Sequence, residues 1–503
     1  MYFVDNRLHF LFCRCNFKKR TVMILSFSRL IAAKNAAAKM RICIFMLSSY
    51  CAFIVPQHIA QAADFAASKG FLSLSATDTK SKENQSQPSK IAKPEIHKTE
   101  VSADGTMDLQ DCYRLALLKS ETLGIRESTL KAAEARYWQA VAGVFPKIHA
   151  IGVGEMQNYK AFQENVTTTG TKRTSDERGE FSINMQQPIF TGFRDFNAIL
   201  GQKAGREALA EDLRRARQTL YLEVATVFYQ TLIHESDLEA YRSLGKTLEE
   251  RITDLESRLT LGKSRRADVL QSKAEWAEVA VAIEQTNGAL AASRELCAFF
   301  TGLPAENICL KESLTLPTTV ALSDFVMLSE SRPDVSAAAH REREAQKQVS
   351  VAQGEHLPTV LLESNIYPNK FPNSDKEWNL LLKIDLPLFE GGATMAKIRE
   401  KREGLRQSRL NLDYLRRSAK TDARVAYSNF TAMAAQVLRL RDLRSATELA
   451  YQSQLEDYEK GIATSLEVLD ALRKRTEAAR KLHTAEHSAK LNLIRLHVAA
   501  GKE

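Results

Sequence analysis

The sequence predicts a mainly α-helical protein with a smaller membrane β part, built as one helix–strand–strand–helix–helix unit written twice. Three observations predict it. Two segments 199 positions apart nearly repeat each other. Long stretches lack both Pro and Gly, which favours helix. Short runs of strict two-residue alternation lie between prolines, which favours strand.

Pro188-Ile189-Phe190-Thr191-Gly192-Phe193 parallels Pro387-Leu388-Phe389-Glu390-Gly391-Gly392. The same offset of 199 aligns Gly262 with Gly461, Asp268 with Glu467 and Leu270 with Leu469. Upstream the offset is 212, pairing Pro146 with Pro358, Ala140 with Ala352 and Leu123 with Val335. The first copy therefore carries 13 extra residues between Pro146 and Pro188. Free length of this kind belongs to a surface loop.

Phe181, Ile183, Met185 and Ile189 alternate with Ser182, Asn184 and Gln186. Trp378, Leu380, Leu382, Ile384 and Leu386 alternate with Asn379, Leu381, Lys383 and Asp385. Val360, Leu362 and Ile366 share a face of a preceding strand, so each copy holds a hairpin. Two strands are marginal alone. An apolar face with polar residues behind it is the mark of a transmembrane barrel. A sheet in lipid must close, and four strands enclose too little, so several chains must contribute.

After the second hairpin, Ile398, Leu405, Leu412, Ala419, Ala426, Met433 and Leu440 recur every seven residues. That is a coiled-coil seam. Ile199, Leu213, Leu220, Val227 and Tyr241 keep the same register in the first copy, with Arg206 and His234 as exceptions. Helices of this length, ~100 Å, pack laterally rather than around a compact core. Each ends at a turn, Gly262-Lys263-Ser264 or Gly461-Ile462-Ala463-Thr464. Glycine there suits a left-handed helix cap. Thr464 with Glu467 reads as a capping box that restarts a helix.

The expected organisation follows. Residues 1–62 form a signal peptide with a possible upstream extension, and 63–105 a disordered lead-in. The first repeat covers 106–301, with a hairpin about 147–190, a long helix about 193–261 and a return helix about 265–300. A linker at 302–320 carries Pro304 and Pro317. The second repeat covers 321–503, with a hairpin about 358–389, a long helix about 392–460 and a return helix about 465–499. Lys39 and Arg41 precede an apolar run from Ile42 to Val55, and Ala60-Gln61-Ala62 supplies the cleavage site. The run of 14 residues is short for a membrane span. Met23 and Met40 are alternative starts.

The net charge of +9 suggests nucleic acid, but before Ala63 nine Lys or Arg face one acid, Asp5. The body is nearly neutral and offers phosphates no basic face. Four of the seven cysteines fall in the signal segment, leaving Cys112, Cys297 and Cys309. A Cys297–Cys309 bridge is one reading; buried free thiols are the favoured one.

These residues resemble the TolC-like outer-membrane efflux family over roughly 108–500. The resemblance rests on the two strand-to-helix segments, on Arg332-Pro333-Asp334, and on the run from Tyr458 to Ala471. It implies a homotrimer whose chains pool four strands each into a 12-stranded β-barrel, joined to a long periplasmic α-helical barrel. It implies a periplasmic adaptor (membrane fusion) protein and an inner-membrane pump of RND or ABC type as partners. The tips would be the entrance and adaptor-docking point. Glu467 and Asp470, on one helical face, would ring the pore with acids, near Tyr458. The family pattern would place a gate-locking basic residue at Ala463. Arg265 and Arg266 are expected to replace it by pairing with Asp268 or Glu467.

No cofactor or metal is expected. His483-Thr484-Ala485-Glu486-His487 matches a zinc-protease pattern, but only sixteen residues follow it, too few for a third ligand well downstream. Gly152 and Gly154 lack the third Gly and the helix of a dinucleotide loop. No enzyme is expected. The expected function is a passive outer-membrane exit duct of a tripartite efflux pump or a type I secretion system. The alternative is a periplasmic coiled-coil adaptor or scaffold, against which the hairpin inside each copy argues.

Overall fold

A computed structural model describes residues 106–156, 177–317, 320–368 and 377–502. The expected signal segment, the lead-in and most of both hairpin loops lie outside the described residues. The chain divides after Thr99, and all described residues belong to the second unit, Glu100–Glu503.

In the first copy, β1 (Thr106–Met107) leads into α1 (Leu109–Lys119) and α2 (Glu121–Ala142). The strands β2 (Lys147–Met156) and β3 (Glu177–Thr191) follow, then α3 (Arg194–Thr260) and α4 (Arg266–Thr301). The described residues between the copies hold a 3₁₀ turn, Ala305–Asn307, and β4 (Cys309–Leu310). The second copy contains α5 (Leu322–Ser329), α6 (Pro333–Gly354), β5 (Thr359–Ile366), β6 (Trp378–Asp385), α7 (Ala393–Glu459) and α8 (Ser465–Ala499). The single leading helix of each repeat is thus two helices. The first break falls at Ser120, whose side chain caps α2. The second precedes Pro333, which has no N–H to donate and so starts a helix well.

The duplication is quantitative. Lys147 lies opposite Gln186 in the first hairpin. The positions 212 and 199 later, Thr359 and Asp385, lie opposite each other in the second. The four strands form one antiparallel sheet in the order β2-β3-β5-β6, with a bulge between Pro188 and Phe190. Ala150, Ile183, Ile366 and Trp378 make one row across it. That face is apolar and exposed at Ile148, Phe181, Ile183, Trp378, Leu380 and Leu382. On the opposite face His149, Asn184, Asn365 and Asn379 make a row. Asn184 donates to Asn365 at 2.7 Å, and Asn365 to Asn379 at 2.9 Å. The alternation read for the second copy extends to Leu386, but β6 stops at Asp385. Leu388 and Phe389 beyond it are 88% and 90% exposed, with no strand beside them.

Both long helices have 67 residues, ~100 Å at 1.5 Å per residue. None of the seven heptad positions of α7 is exposed, and Ile398, Leu412, Ala419 and Leu440 are buried. The largest core gathers Phe228, Tyr229 and Leu220 of α3 with Cys112 of α1, Cys297 of α4, Ile308, and Ile494 and Val498 of α8. Cys112, Cys297 and Cys309 are all free thiols. Burial pushes the Cys112 thiol up to about 12, so it is protonated and inert. Cys309 is exposed and makes no bridge to Cys297. No helix among the described residues is long and apolar enough to cross a membrane.

Two polar clusters join the copies. Arg332 is almost wholly buried and grips Asp334 with two hydrogen bonds of 2.7 and 2.8 Å. It also donates to Asp422 of α7 at 2.9 Å. Arg215 and Gln218 of α3 hold the carbonyls of Val498 and Gly501, at 2.9 and 2.7 Å. In the second cluster Glu312, from the inter-repeat segment, accepts from Tyr229 of α3 at 3.3 Å and faces Lys490 of α8 at 3.5 Å.

Candidate functional site at the helix tips

Each long helix reverses into its return helix through the same backbone motif. Gly262 and Gly461 adopt φ of +70° and +75°, a region other residues enter only at a cost. The next N–H then reaches back five residues: Lys263 to the Arg258 carbonyl and Ile462 to the Asp457 carbonyl, both 2.8 Å. This is the Schellman closure, and it satisfies carbonyls that the helix end leaves open. The tips differ in how the return helix starts. Thr464 and Glu467 form the expected reciprocal capping box at the start of α8. The Arg265 side chain makes no cap at the start of α4.

Glu467 turns its carboxylate onto the Thr464 N–H at 2.7 Å. That hydrogen bond from the backbone, with a second from the hydroxyl, holds its pKa below the ordinary value. Asp470 is one helical turn further on and pairs with Lys474 at 2.7 Å and Arg473 at 3.4 Å. The Lys474 hydrogen bond is the main cause of its lowered pKa. Both carboxylates are therefore ionised at neutral pH. They border a groove of about 220 Å³ between α7 and α8, with Gln454 and Lys474 on its walls.

Tyr458, one turn before the second tip, lies between two arginines of the first copy. The Arg251 guanidinium is 5.1 Å from its ring centroid and that of Arg258 is 5.4 Å. Both distances suit a cation–π contact. Arg251 also donates to the carbonyl of Ser465 at 3.1 Å and to its hydroxyl at 3.0 Å. Burial lowers the Arg251 pKa, the neighbouring Tyr458 opposing the shift. Arg258 is itself held by Asp254 at 2.8 Å. One side chain of α3 thus ties the end of α7 to the start of α8.

Arg265, Arg266 and Asp268 lie on the other tip, the two arginines exposed and Asp268 half-buried. Within the chain, no ion pair joins Arg265 or Arg266 to Asp268 or Glu467 among the described residues. Sequence reading missed Arg251 and Arg258. The available signal was their spacing: they lie seven apart, three residues after the buried Leu248 and Leu255. They therefore share a stripe beside the packing seam. The zinc-protease pattern is engaged elsewhere, with Glu486 paired to Arg441 at 2.8 Å and His487 facing Glu312 at 3.7 Å. No group of three metal-ligating side chains occurs among the described residues.

Comparison with known proteins agrees with this duplicated architecture. The chain is 25% identical over 332 residues to the outer membrane efflux protein BepC of Brucella suis biovar 1, covering 64% of this chain and 72% of that one. It is 23% identical over 393 residues to the cation efflux system protein CusC of Escherichia coli K12, covering 75% and 83%. The crystal structure of the outer membrane protein VceC from Vibrio cholerae superposes with a TM-score of 0.69 at 20% identity, covering 78% of this chain and 96% of that one. The sequence model described as outer membrane efflux protein matches residues 112–299 and 326–502, one stretch in each copy, and the chain belongs to that family.

Proposed function

We propose that the chain is one subunit of a trimeric channel, the passive exit duct of a tripartite efflux pump or a type I secretion system. It resides in the outer membrane of a Gram-negative bacterium and extends into the periplasm. The two-faced, four-stranded sheet carries this reading. Its apolar face is exposed in the single chain, and its other face bears an amide ladder. An apolar face toward lipid and a polar face toward a lumen are what a membrane barrel needs. The edges β2 and β6 have no partner strand among the described residues. They run in opposite directions, so β6 of one chain can continue antiparallel into β2 of the next. Lipid leaves closure as the stable outcome.

Three chains supply twelve strands, and the long helices continue as a periplasmic α-helical barrel. The tip loops Gly262-Lys263-Ser264 and Gly461-Ile462-Ala463-Thr464 meet a periplasmic adaptor, behind which an inner-membrane pump of RND or ABC type supplies the energy. Glu467 and Asp470 line the entrance, where six carboxylates around one axis attract cations. Arg251 and Arg258 brace Tyr458 within each subunit. Strands inside both copies weigh against the adaptor alternative.

The test is conductance in planar bilayers. The unmodified protein should form cation-selective pores, and Glu467→Ala with Asp470→Ala should move the reversal potential toward zero. An unmoved reversal potential rejects the carboxylate ring. Absence of any pore from the unmodified protein rejects the channel.

A further inference from the structure

We propose that Arg399, Arg402 and Arg406, near the start of α7, form a seat for an anionic phospholipid of the periplasm-facing leaflet. This rests on the outer-membrane channel reading above.

The three arginines lie at spacings of three and four, so their side chains share one face of α7. All three are exposed. Arg399 and Arg402 have no ion pair among the described residues. Arg406 lies 3.8 Å from Glu403, both side chains largely exposed. Glu400, the other nearby acid, is held by Lys401 at 2.9 Å. The helix packs instead through the buried Ile398 and Leu412, and through Lys397, which pairs with Glu355 of α6.

Met395 continues the arginine stripe one turn nearer the sheet. Its equivalent in the first copy, at the offset of 199, is Phe196. Both are exposed, as are Phe193, Leu388 and Phe389. These apolar side chains mark the level at which strand gives way to helix. Apolar surface gains nothing in a water-filled duct, whereas lipid covers it. The stripe therefore lies on the side that meets the bilayer, directly below it.

The direction of α7 adds to this. It starts at the sheet and runs away from it. Cα–Cβ bonds in a helix lean toward its N-terminus, so side chains of α7 lean back toward the membrane. Arg399, Arg402 and Arg406 follow Met395 by about 6, 10 and 16 Å along the axis. A headgroup layer is roughly 5–8 Å deep. Arg399 and Arg402 can reach its phosphates, and Arg406 adds charge behind them. A guanidinium fork matches two phosphate oxygens.

The first copy lacks the stripe. Its equivalents are Leu200, Lys203 and Glu207, and Glu207 faces His340 at 3.1 Å. Residues 393–409 carry six basic side chains against two acids, and residues 194–210 three against two. The first copy builds the same 67-residue helix without these arginines, so the helix itself does not require them. Each chain has one seat, in its second copy.

The experiment is lipid retention by the full chain. Trimer from bilayers of equal phosphatidylethanolamine and phosphatidylglycerol is extracted and weighed by native mass spectrometry. The unmodified protein should retain phosphatidylglycerol preferentially. Each surface arginine strengthens attraction to anionic lipid about fivefold, so Arg399→Gln with Arg402→Gln should cut the preference about tenfold or more. Arg399→Lys with Arg402→Lys should keep most of it, since lysine carries the same charge. Arg439→Gln with Arg444→Gln removes equal charge about 60 Å further along α7 and should keep all of it. Three results each reject the seat alone: no preference in a pore-forming unmodified protein, a preference that survives Arg399→Gln with Arg402→Gln, and one lost equally in the distant or the lysine pair. Loss of binding to isolated cell-wall sacculi in Arg399→Gln with Arg402→Gln, with lipid preference intact, would assign the stripe to wall carboxylates and also reject it. Absence of any pore from the unmodified protein rejects the channel reading and the seat with it.

Discussion

Among single residues, Arg251 has the widest reach at the tip. It touches the Tyr458 ring and both acceptor groups of Ser465, so it links the two sides of the second turn. A charged hydrogen bond and a cation–π contact together contribute on the order of 2–3 kcal/mol. Arg251→Ala should loosen the entrance and raise single-channel conductance in planar bilayers. Arg251→Lys should restore little, because an ammonium cannot reproduce the planar fork. Conductance unchanged in both variants would mean that the tip is held by other contacts. This residue also marks the limit of sequence reading. Glu467 was legible, because a capping box is local and its partner lies three residues away. The partner of Arg251 lies 214 residues away, and no local pattern points to it.

At the scale of elements, the junction of α6, α7 and α8 depends on Arg332. Its side chain is 4% exposed, so removing the two-bonded Asp334 carboxylate leaves a buried charge with Asp422 as its one remaining counterion. Asp334→Asn should destabilise the chain by about 3 kcal/mol, measured as the shift in its denaturant unfolding midpoint. Burial pushes Asp334 upward, but the hydrogen bonds and charge of Arg332 outweigh this and leave its pKa lowered. A lowered folded pKa gives stability that is full above the unfolded value and is lost as pH falls through the folded one. The cost of Asp334→Asn should therefore shrink on acidification. A cost independent of pH would show that the ion pair is not its source. Sequence reading marked Arg332-Pro333-Asp334 as typical without explaining it. The reason is tertiary: Asp422 joins the pair from 90 residues away.

For the whole molecule, the hairpin strands and the long helices were legible because they have a period, two for the strands and seven for the helix seams, whereas the short β1, β4 and α5 have none. The order of strands in the sheet was not, since nothing local says that β3 meets β5. The trimer reading makes a prediction at this scale. Unheated membrane extract should show a slow band on a denaturing gel that collapses to the monomer position after boiling. A protein that runs as a monomer without heating would contradict closure by pooled strands.

The short segment between the copies, pinned through Glu312, has a further effect on such a ring. A closed ring of six unfused units would need each unit to find its neighbours by diffusion, with rotational and translational freedom lost every time. The tether makes every second encounter intramolecular, at an effective concentration in the millimolar range for a short flexible link. Half of the seams are then made as the chain folds. Three seams remain, and dilution opposes only the two encounters that bring three chains together, since the last seam closes within the ring.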